Sequence, residues 1–429
     1  MSNDRLSPWQ WRDELRAAIA LPRTTERIPI EHALGRVLAT EMRSPEQVPA
    51  MPIAAMDGFA VRRSDLTAPG TTTLPVSVEL PARPGAVPPL PVGAAARIMT
   101  GAPVPRGADA VIEVEATDSD PFGPSPATVT VSLSALPAKD RHVRGAGEEI
   151  GAGDVLAEVH DRVGPGLLGL ARTLGLRSLE VLRPPQVAVV VTGDELTGHG
   201  EGDGEQADRF AHVAEGIDVL PGAVRESNGM MLAAALAADG AQALRPLRCG
   251  DDHAYLRAVL DRAAQEADLV LTTGGIGHGA YDVVKTLLGE RGSDTSRFAH
   301  LPLRPGGPQG HGTLPGGTPV VHLPGTPVGA LVGYHLFVRP LLDAADSAAR
   351  RVLLGEGADS RRRGGPEVLH AVAGRLRRDE DGRERVDILP GRRLAPYGRA
   401  DALVLLGGTD AETRPGGDAV ARTALVIPL

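Results

Sequence analysis

The stretch ADLVLTTGGIGHGAYDVVK, residues 267 to 285, decides the fold. It starts as a continuous apolar run, breaks into glycines, and ends with Asp282 and Lys285 at helical spacing. An unbroken apolar strand that leads into a helix is the pattern of a parallel sheet covered on both faces. The same texture recurs on either side of it. QVAVVVTG, AQALRPLR and TPVVHLPG read as further strands, and helices are expected over Asn228–Ala238, about Asp252–Ala264, from about Tyr281, and near Val328–Val338. Strands alternating with helices place an α/β domain with a mostly parallel sheet over residues 184–341.

Outward from this domain the texture changes. SPWQWRDELRAAIAL reads as a helix with Ser7 as N-cap and Pro8 at the first helical position. IPIEHALGRVLA is expected to be helical from about Glu31, and helical pattern returns in GPGLLGLARTLGL. Between about Pro45 and Ala138 short β-branched runs such as TTTLPVSVEL and ATVTVSLSAL are broken by Pro and Gly. The expected organisation is a discontinuous helical N-terminal domain (1–47 and 144–183), an inserted β-rich domain (48–143), the α/β domain (184–341) and a small C-terminal β domain (345–429). The polar stretch GEGADSRRRGGPEV reads as the connector to the last of these.

Composition narrows the function. With 429 residues the chain exceeds one ordinary core, and its 42% hydrophobic share can fill several. Aromatic residues make up 3% and the net charge is −9, so there is neither a stacking platform nor a basic footprint for nucleic acid. No nucleic-acid partner is expected. The single cysteine, Cys249, excludes an internal disulfide and a multi-thiolate metal site, which suits a reducing compartment. No apolar span of membrane length and no apolar run behind a basic start occurs, so a cytoplasmic protein with no membrane association is expected. Only Lys139 and Lys285 are lysines among 45 basic residues.

Three segments leave a strand and enter a Gly- or Pro-rich loop: VVVTGDEL (189–196), VLTTGGIGHG (270–279) and VVHLPGTP (320–327). Carboxyl ends of parallel strands share one edge, so these loops should converge on one pocket. Backbone amides of a glycine turn, the start of the following helix, and the hydroxyls of Thr192, Thr272 and Thr273 suit a phosphate or other oxyanion. An ordinary βα turn is the alternative for any one loop. No G-x-x-x-x-G-K-[ST] occurs, and GGIGHG lacks the dinucleotide spacing G-x-G-x-x-G. Acids flank the loops: Asp194 and Glu195, Asp282, and Asp251 with Asp252. Carboxylates facing a phosphate call for a divalent cation between them, which suggests magnesium; taken singly, each acid reads as a helix cap or a solvated side chain. Asp57 in AAMDGFAV and the acids of RGAGEEI are either local turn residues or cleft-facing groups.

Taken together these residues resemble the MoeA family of molybdopterin molybdenumtransferases, which includes the C-terminal domain of gephyrin. MPIAAMDGFAVR looks like the family's NSAMDGYAVR, and RIMTGAPVPRGADAVIEVE (97–115) is close to its MTGAPVP-GADAVV. VVVTGDEL is similar to STGDEL, ESNGMML (226–232) to DSNGYML, TTGGIGHGAYDVVK to SGGVSVGDYDYVK, and HLPGTPVGALV to GLPGNPVSALV. The resemblance implies an elongated homodimer with a MogA-like molybdopterin-binding α/β domain. Its active cleft would lie between that domain and the small β domain of the other subunit. Such proteins transfer molybdate onto adenylylated molybdopterin with a divalent metal and release AMP. The resemblance assigns catalysis to Asp57, Glu149, Glu195 and Asp282, with Glu195 and Asp282 also as magnesium ligands. It assigns substrate binding to Thr100, Thr192, Gly193, Asp194, Asn228, Thr273, Gly274, Gly275, Lys285, Arg304, Pro324, Gly325 and Pro327. A MogA-like adenylyltransferase would supply the substrate and apo-molybdoenzymes would receive the product.

The chain departs from the family's motifs at several positions. Asn-Ser before AMDG is Ile53-Ala54, GED reads Gly147-Glu148-Glu149, and an acid of VSVGD is Ala280. K-P-G-K-P appears as Arg304-Pro305-Gly306-Gly307-Pro308, and in the last loop Asn is Thr326 and Ser is Gly329. Each lost oxyanion donor costs about 2.7–4 kcal/mol of transition-state stabilisation. The expected function is a molybdenum insertase, the alternatives being a catalytically impaired pterin-binding carrier or scaffold, or a relative acting on another phosphorylated metabolite.

Overall fold

The computed structural model describes residues 6–197, 222–277, 282–342, 349–355, 367–391, 393–407 and 423–429. Ala280 and the expected helix start at Tyr281 lie outside these residues, as does most of the connector after Gly355. Two compact units are present: Met1–Thr24 with Arg183–Leu429, and Thr25–Leu182.

The first unit is built on a seven-stranded sheet. Gln186–Thr192, Leu269–Thr273 and Pro319–Leu323 form its parallel centre, in a register that sets Val191 opposite Thr273 and Thr273 opposite Leu323. The three carboxyl ends are therefore level. Leu247–Cys249 and the short Gln242–Ala243 pair with the outer side of Gln186–Thr192. At the other edge Pro308–Thr313 and Ser296–His300 add an antiparallel hairpin, so the sheet is mixed.

Alternation along the central strands divides the core into two layers. Val187, Val189, Val191, Leu271, Val321 and Leu323 pack with Leu232 and Leu236 of the Asn228–Ala238 helix and with Trp11 and Leu15 of the Pro8–Ala18 helix. Ala188, Val190, Val270 and Val320 pack with Leu256, Leu260 and Ala263 of the His253–Glu266 helix and with Val283, Val284 and Leu287. Each fully buried aliphatic side chain contributes about 1.5–3 kcal/mol. The Pro8–Ala18 helix starts as its sequence dictates: the Ser7 hydroxyl accepts from the Gln10 amide at 3.2 Å and the Gln10 side chain accepts from the Ser7 amide at 2.8 Å.

The C-terminal part of this unit is a closed five-stranded barrel. Leu369–Arg378 pairs with both Glu384–Ile388 and Ala402–Leu406, and Arg350–Leu354 and Thr423–Pro428 complete the ring. Leu303–Arg304 adds a short parallel strand outside the ring, against Leu369 and His370.

In the second unit, Ala110–Glu113, Gly58–Val61, Ala95–Ile98, Gly70–Leu80 and Thr128–Leu133 form a five-stranded sheet over two small cores. Thr25–Pro29 pairs antiparallel with Ser178–Leu182. The helix expected from Glu31 is instead a single 3-10 turn, Ile30–His32. Gly35 follows at φ +76, a left-handed conformation that ends helical propagation. Among the described residues no helix is long and apolar enough to cross a membrane.

Candidate active site

All three strand-end loops line one cavity of about 670 Å³ in the first unit. Thr192, Gly193 and Glu195 come from the first, Thr273, Gly274, Gly275 and Asp282 from the second, and Pro324, Gly325 and Pro327 from the third. Asn228 completes the set from the start of the Asn228–Ala238 helix. The convergence expected from the parallel strand ends is thus present. Ser227, Thr326 and Gly306 also line the cavity, and motif reading did not single them out as site residues. Ser227 sits inside ESNGMML and Thr326 inside LPGTP, so their motifs carried the signal.

The loops are tied to one another by a short chain of hydrogen bonds. The Thr273 hydroxyl donates to the Pro324 carbonyl at 2.9 Å. The Asn228 side-chain amide donates to Thr273 Oγ1 and to the Gly325 carbonyl, both at 2.8 Å. Glycine is required where the loops meet. Gly274 has φ +100, and a Cβ there would stand 2.6 Å from the Thr192 carbonyl oxygen and 2.7 Å from its hydroxyl. A Cβ on Gly325 would stand 3.2 Å from Gly274 Cα.

These glycines serve close approach rather than an open anion nest. The Gly193 amide donates to the Cys249 carbonyl at 3.1 Å and the Gly274 amide to the Leu323 carbonyl at 3.2 Å. The Gly277 amide donates to Asp282 Oδ1 at 2.9 Å, so the carboxylate reaches back across its own loop instead of capping its helix. Three amides counted toward a phosphate cradle are therefore already engaged. Lys285 donates to the Gly277 carbonyl at 3.3 Å and lines a second cavity of about 810 Å³, which shares Gly277 and Asp282 with the first.

Negative charge concentrates at the rim. Glu195, Asp251 and Asp282 line the cavity, and Asp194 accepts from the Asp251 amide at 3.0 Å. Burial, and then the charge of Asp194, raises the Asp251 carboxyl above the ordinary carboxylate range, with Glu195 and Asp282 adding to the effect. Arg248 is shifted down by burial, against the pull of Glu226, Asp194 and Glu195. Beneath the loops His322 is fully buried between the Thr272 hydroxyl at 2.8 Å and the Ser296 hydroxyl at 3.0 Å, and burial pushes its pKa down to about 3. Burial likewise pushes the Cys249 thiol up to about 12.

Arg304 is exposed on the strand beside the barrel and does not line the cavity, although Gly306 and Pro308 do. Gly307 is confined: a Cβ there would lie 3.0 Å from His300 Nε2 and 3.2 Å from the Leu301 carbonyl. A Cβ on Gly329 would lie 2.6 Å from Thr326 Oγ1 and 3.0 Å from Pro324 Cβ. Asp57, Thr100 and Glu149 belong to the second unit. There Asp57 Oδ1 accepts from the Thr100 amide at 2.6 Å and its hydroxyl at 2.7 Å, which holds the Asp57 carboxyl below the ordinary range. Its partner is thus Thr100 rather than its own backbone. Glu149 is exposed, with its amide donating to the Val48 carbonyl at 3.0 Å.

Comparison with known proteins joins these parts. Residues 8–175 match the MoeA N-terminal region (domain I and II), and residues 188–344 match the probable molybdopterin binding domain. The chain is 40% identical over 325 residues to molybdopterin molybdenumtransferase 2 of Mycobacterium tuberculosis, covering 74% of each protein. It is 31% identical over 333 residues to the molybdopterin molybdenumtransferase of Haemophilus influenzae, covering 78% of this chain and 76% of the relative. A MoeA structure from Pyrococcus horikoshii superposes over 99% of both chains with a TM-score of 0.75 at 22% identity, a likeness of fold. The two matched regions define a multidomain protein of molybdenum cofactor biosynthesis. The chain belongs to the MoeA family of molybdopterin molybdenumtransferases.

Proposed function

We propose that this protein is a molybdenum insertase that transfers molybdate onto adenylylated molybdopterin and releases AMP. The carrying observation is the single cavity formed by three strand-end loops with acids at its rim. The anionic end of the substrate is held at the start of the Asn228–Ala238 helix by Ser227 and at the start of the Pro327–Gly333 helix by Thr326, where helix dipoles favour negative charge. Ile276, Val191 and Leu196 supply apolar surface for the ring system. Asp282, oriented by the Gly277 amide, and Glu195 hold or move the proton of an attacking oxygen. Asp57, whose carboxylate is held by Thr100, and Glu149 are the further acids assigned to the reaction.

Magnesium fits this donor set. Among the described residues no three His, Cys, Asp or Glu side chains form a ready-made metal cluster. Magnesium, however, is commonly held by one or two carboxylates together with substrate phosphates and water. The raised Asp251 carboxyl marks a surplus of negative charge that a cation would relieve. Glu195 and Asp282 would hold the ion, which when bound would supply charge neutralisation at the phosphate. The protein acts as a cytoplasmic homodimer, with an adenylyltransferase supplying the activated pterin and apo-molybdoenzymes receiving the product.

The test is AMP release from adenylylated molybdopterin with magnesium, with and without molybdate. Molybdate-dependent release is expected. Asp282→Ala should abolish release and leave pterin binding measurable. Tight pterin binding by the wild-type protein without release would replace the insertase by a carrier, with Gly307 and Gly329 marking the lost groups.

A further inference from the structure

Hydrogen-bond accounting at Asn228 specifies which edge of a ligand can meet it. The residue is 5% exposed and lines the cavity. Its two N–H groups face two acceptors, Thr273 Oγ1 and the Gly325 carbonyl, each at 2.8 Å. Thr273 Oγ1 can only accept from it, because the hydroxyl proton is directed to the Pro324 carbonyl at 2.9 Å. The amide orientation is therefore fixed by its partners rather than chosen. Asn228 Oδ1 remains, buried and without a hydrogen-bond partner among the described residues. A buried acceptor left unpaired costs about 1–3 kcal/mol, and two engaged N–H groups prevent this side chain from turning to find a donor. A donor carried by a ligand would complete it.

We infer that Asn228 is an acceptor-only specificity residue that reads the N–H edge of an amino-substituted nitrogen heterocycle. A fully ionised phosphate ester or anhydride oxygen has no proton to give at this point and would face a carbonyl-like dipole. The anionic part of the ligand therefore lies away from Asn228 Oδ1, and the heterocycle faces that oxygen. This rests on the insertase reading for its substrate, which carries two such edges: that of the pterin and that of the adenine.

The experiment compares binding of three probes to the full-length wild-type, Asn228→Ala and Thr273→Val proteins by calorimetry: 6-hydroxymethylpterin, AMP and inorganic phosphate. Asn228→Ala should weaken one heterocycle by about tenfold or more and leave inorganic phosphate unchanged, the size expected for one lost hydrogen bond. Loss confined to the pterin identifies the pterin edge; loss confined to AMP identifies the adenine edge. Thr273→Val removes the hydroxyl that fixes the amide, and should reduce the same preference without removing Asn228. Equal weakening of all three probes would show that Asn228 only braces the loops, and no weakening of any would show that its oxygen meets no ligand; either overturns the inference. Asn228-dependent heterocycle binding together with no molybdate-dependent AMP release would instead refute the insertase reading alone.

Discussion

Replacing Gly274 by alanine tests whether the loops need their close approach. Two costs add. Gly274 has φ +100, where an L-residue with a Cβ is strained by about 1–2 kcal/mol. The new Cβ would also stand 2.6 Å from the Thr192 carbonyl oxygen and 2.7 Å from its hydroxyl, so neighbouring backbone must move, and overpacking of this kind costs about 1–3 kcal/mol. The sum is about 2–5 kcal/mol. Gly316 supplies the reference, because it has φ +94 in the same unit with nothing within 4 Å of an added Cβ. Gly316→Ala should cost only the backbone part, about 1–2 kcal/mol. The assay is urea unfolding followed by tryptophan fluorescence. Both tryptophans, Trp9 and Trp11, lie in the Pro8–Ala18 helix, and Trp11 is buried in the core that covers the sheet, so the signal reports this unit. If Gly274→Ala lowers stability no more than Gly316→Ala, the loops are not in contact as described and the argument for one pre-tied cavity fails.

Asp251→Asn should stabilise the protein at neutral pH. The carboxyl is raised in the folded state, so wild-type stability falls as pH rises from the ordinary carboxylate range through the folded pKa, and the gain from Asn should vanish in acid; melting temperature against pH checks this. Magnesium should stabilise the wild type more than this variant. His322 behaves oppositely as a base pushed down to about 3: the unfolded chain takes up a proton that the folded one refuses. Stability should therefore fall as pH drops from about 6.5 toward 3, and a His322→Gln variant should lose this component of the slope. Cys249, buried with its thiol pushed up to about 12, should resist alkylation by iodoacetamide at pH 8 in the native protein and react on unfolding.

The central strands were legible because burial on both faces leaves continuous apolar runs, and the level loops followed from that. The antiparallel hairpin was not. PQGHGT looks like a loop, yet a Cβ on Gly310 would stand 2.6 Å from Phe298 Cδ1, and one on Gly312 would collide with the Thr295 carbonyl. The glycines that erase the strand signal are the ones its packing requires. At IPIEHALGRVLA local periodicity suggested a helix, whereas the preceding residues were claimed by pairing with Ser178–Leu182, distant in sequence. Closure of the C-terminal barrel likewise depends on a pairing between Leu369–Arg378 and Ala402–Leu406 that no local pattern announces. Within the site, residue identities were visible in the motifs, but the engagement of the Gly193, Gly274 and Gly277 amides was not, since it depends on which carbonyls the other loops present.

The crowding between Thr326 and Gly329 ties two of the motif departures to each other. The family's motif carries Asn and Ser where this chain has Thr326 and Gly329. The Thr326 hydroxyl now stands 2.6 Å from where a side chain at 329 would begin, with Pro324 Cβ at 3.0 Å. A side chain at 329 would therefore meet the Thr326 hydroxyl first, so the two departures share one small space: what position 329 can hold depends on how the side chain at 326 is turned.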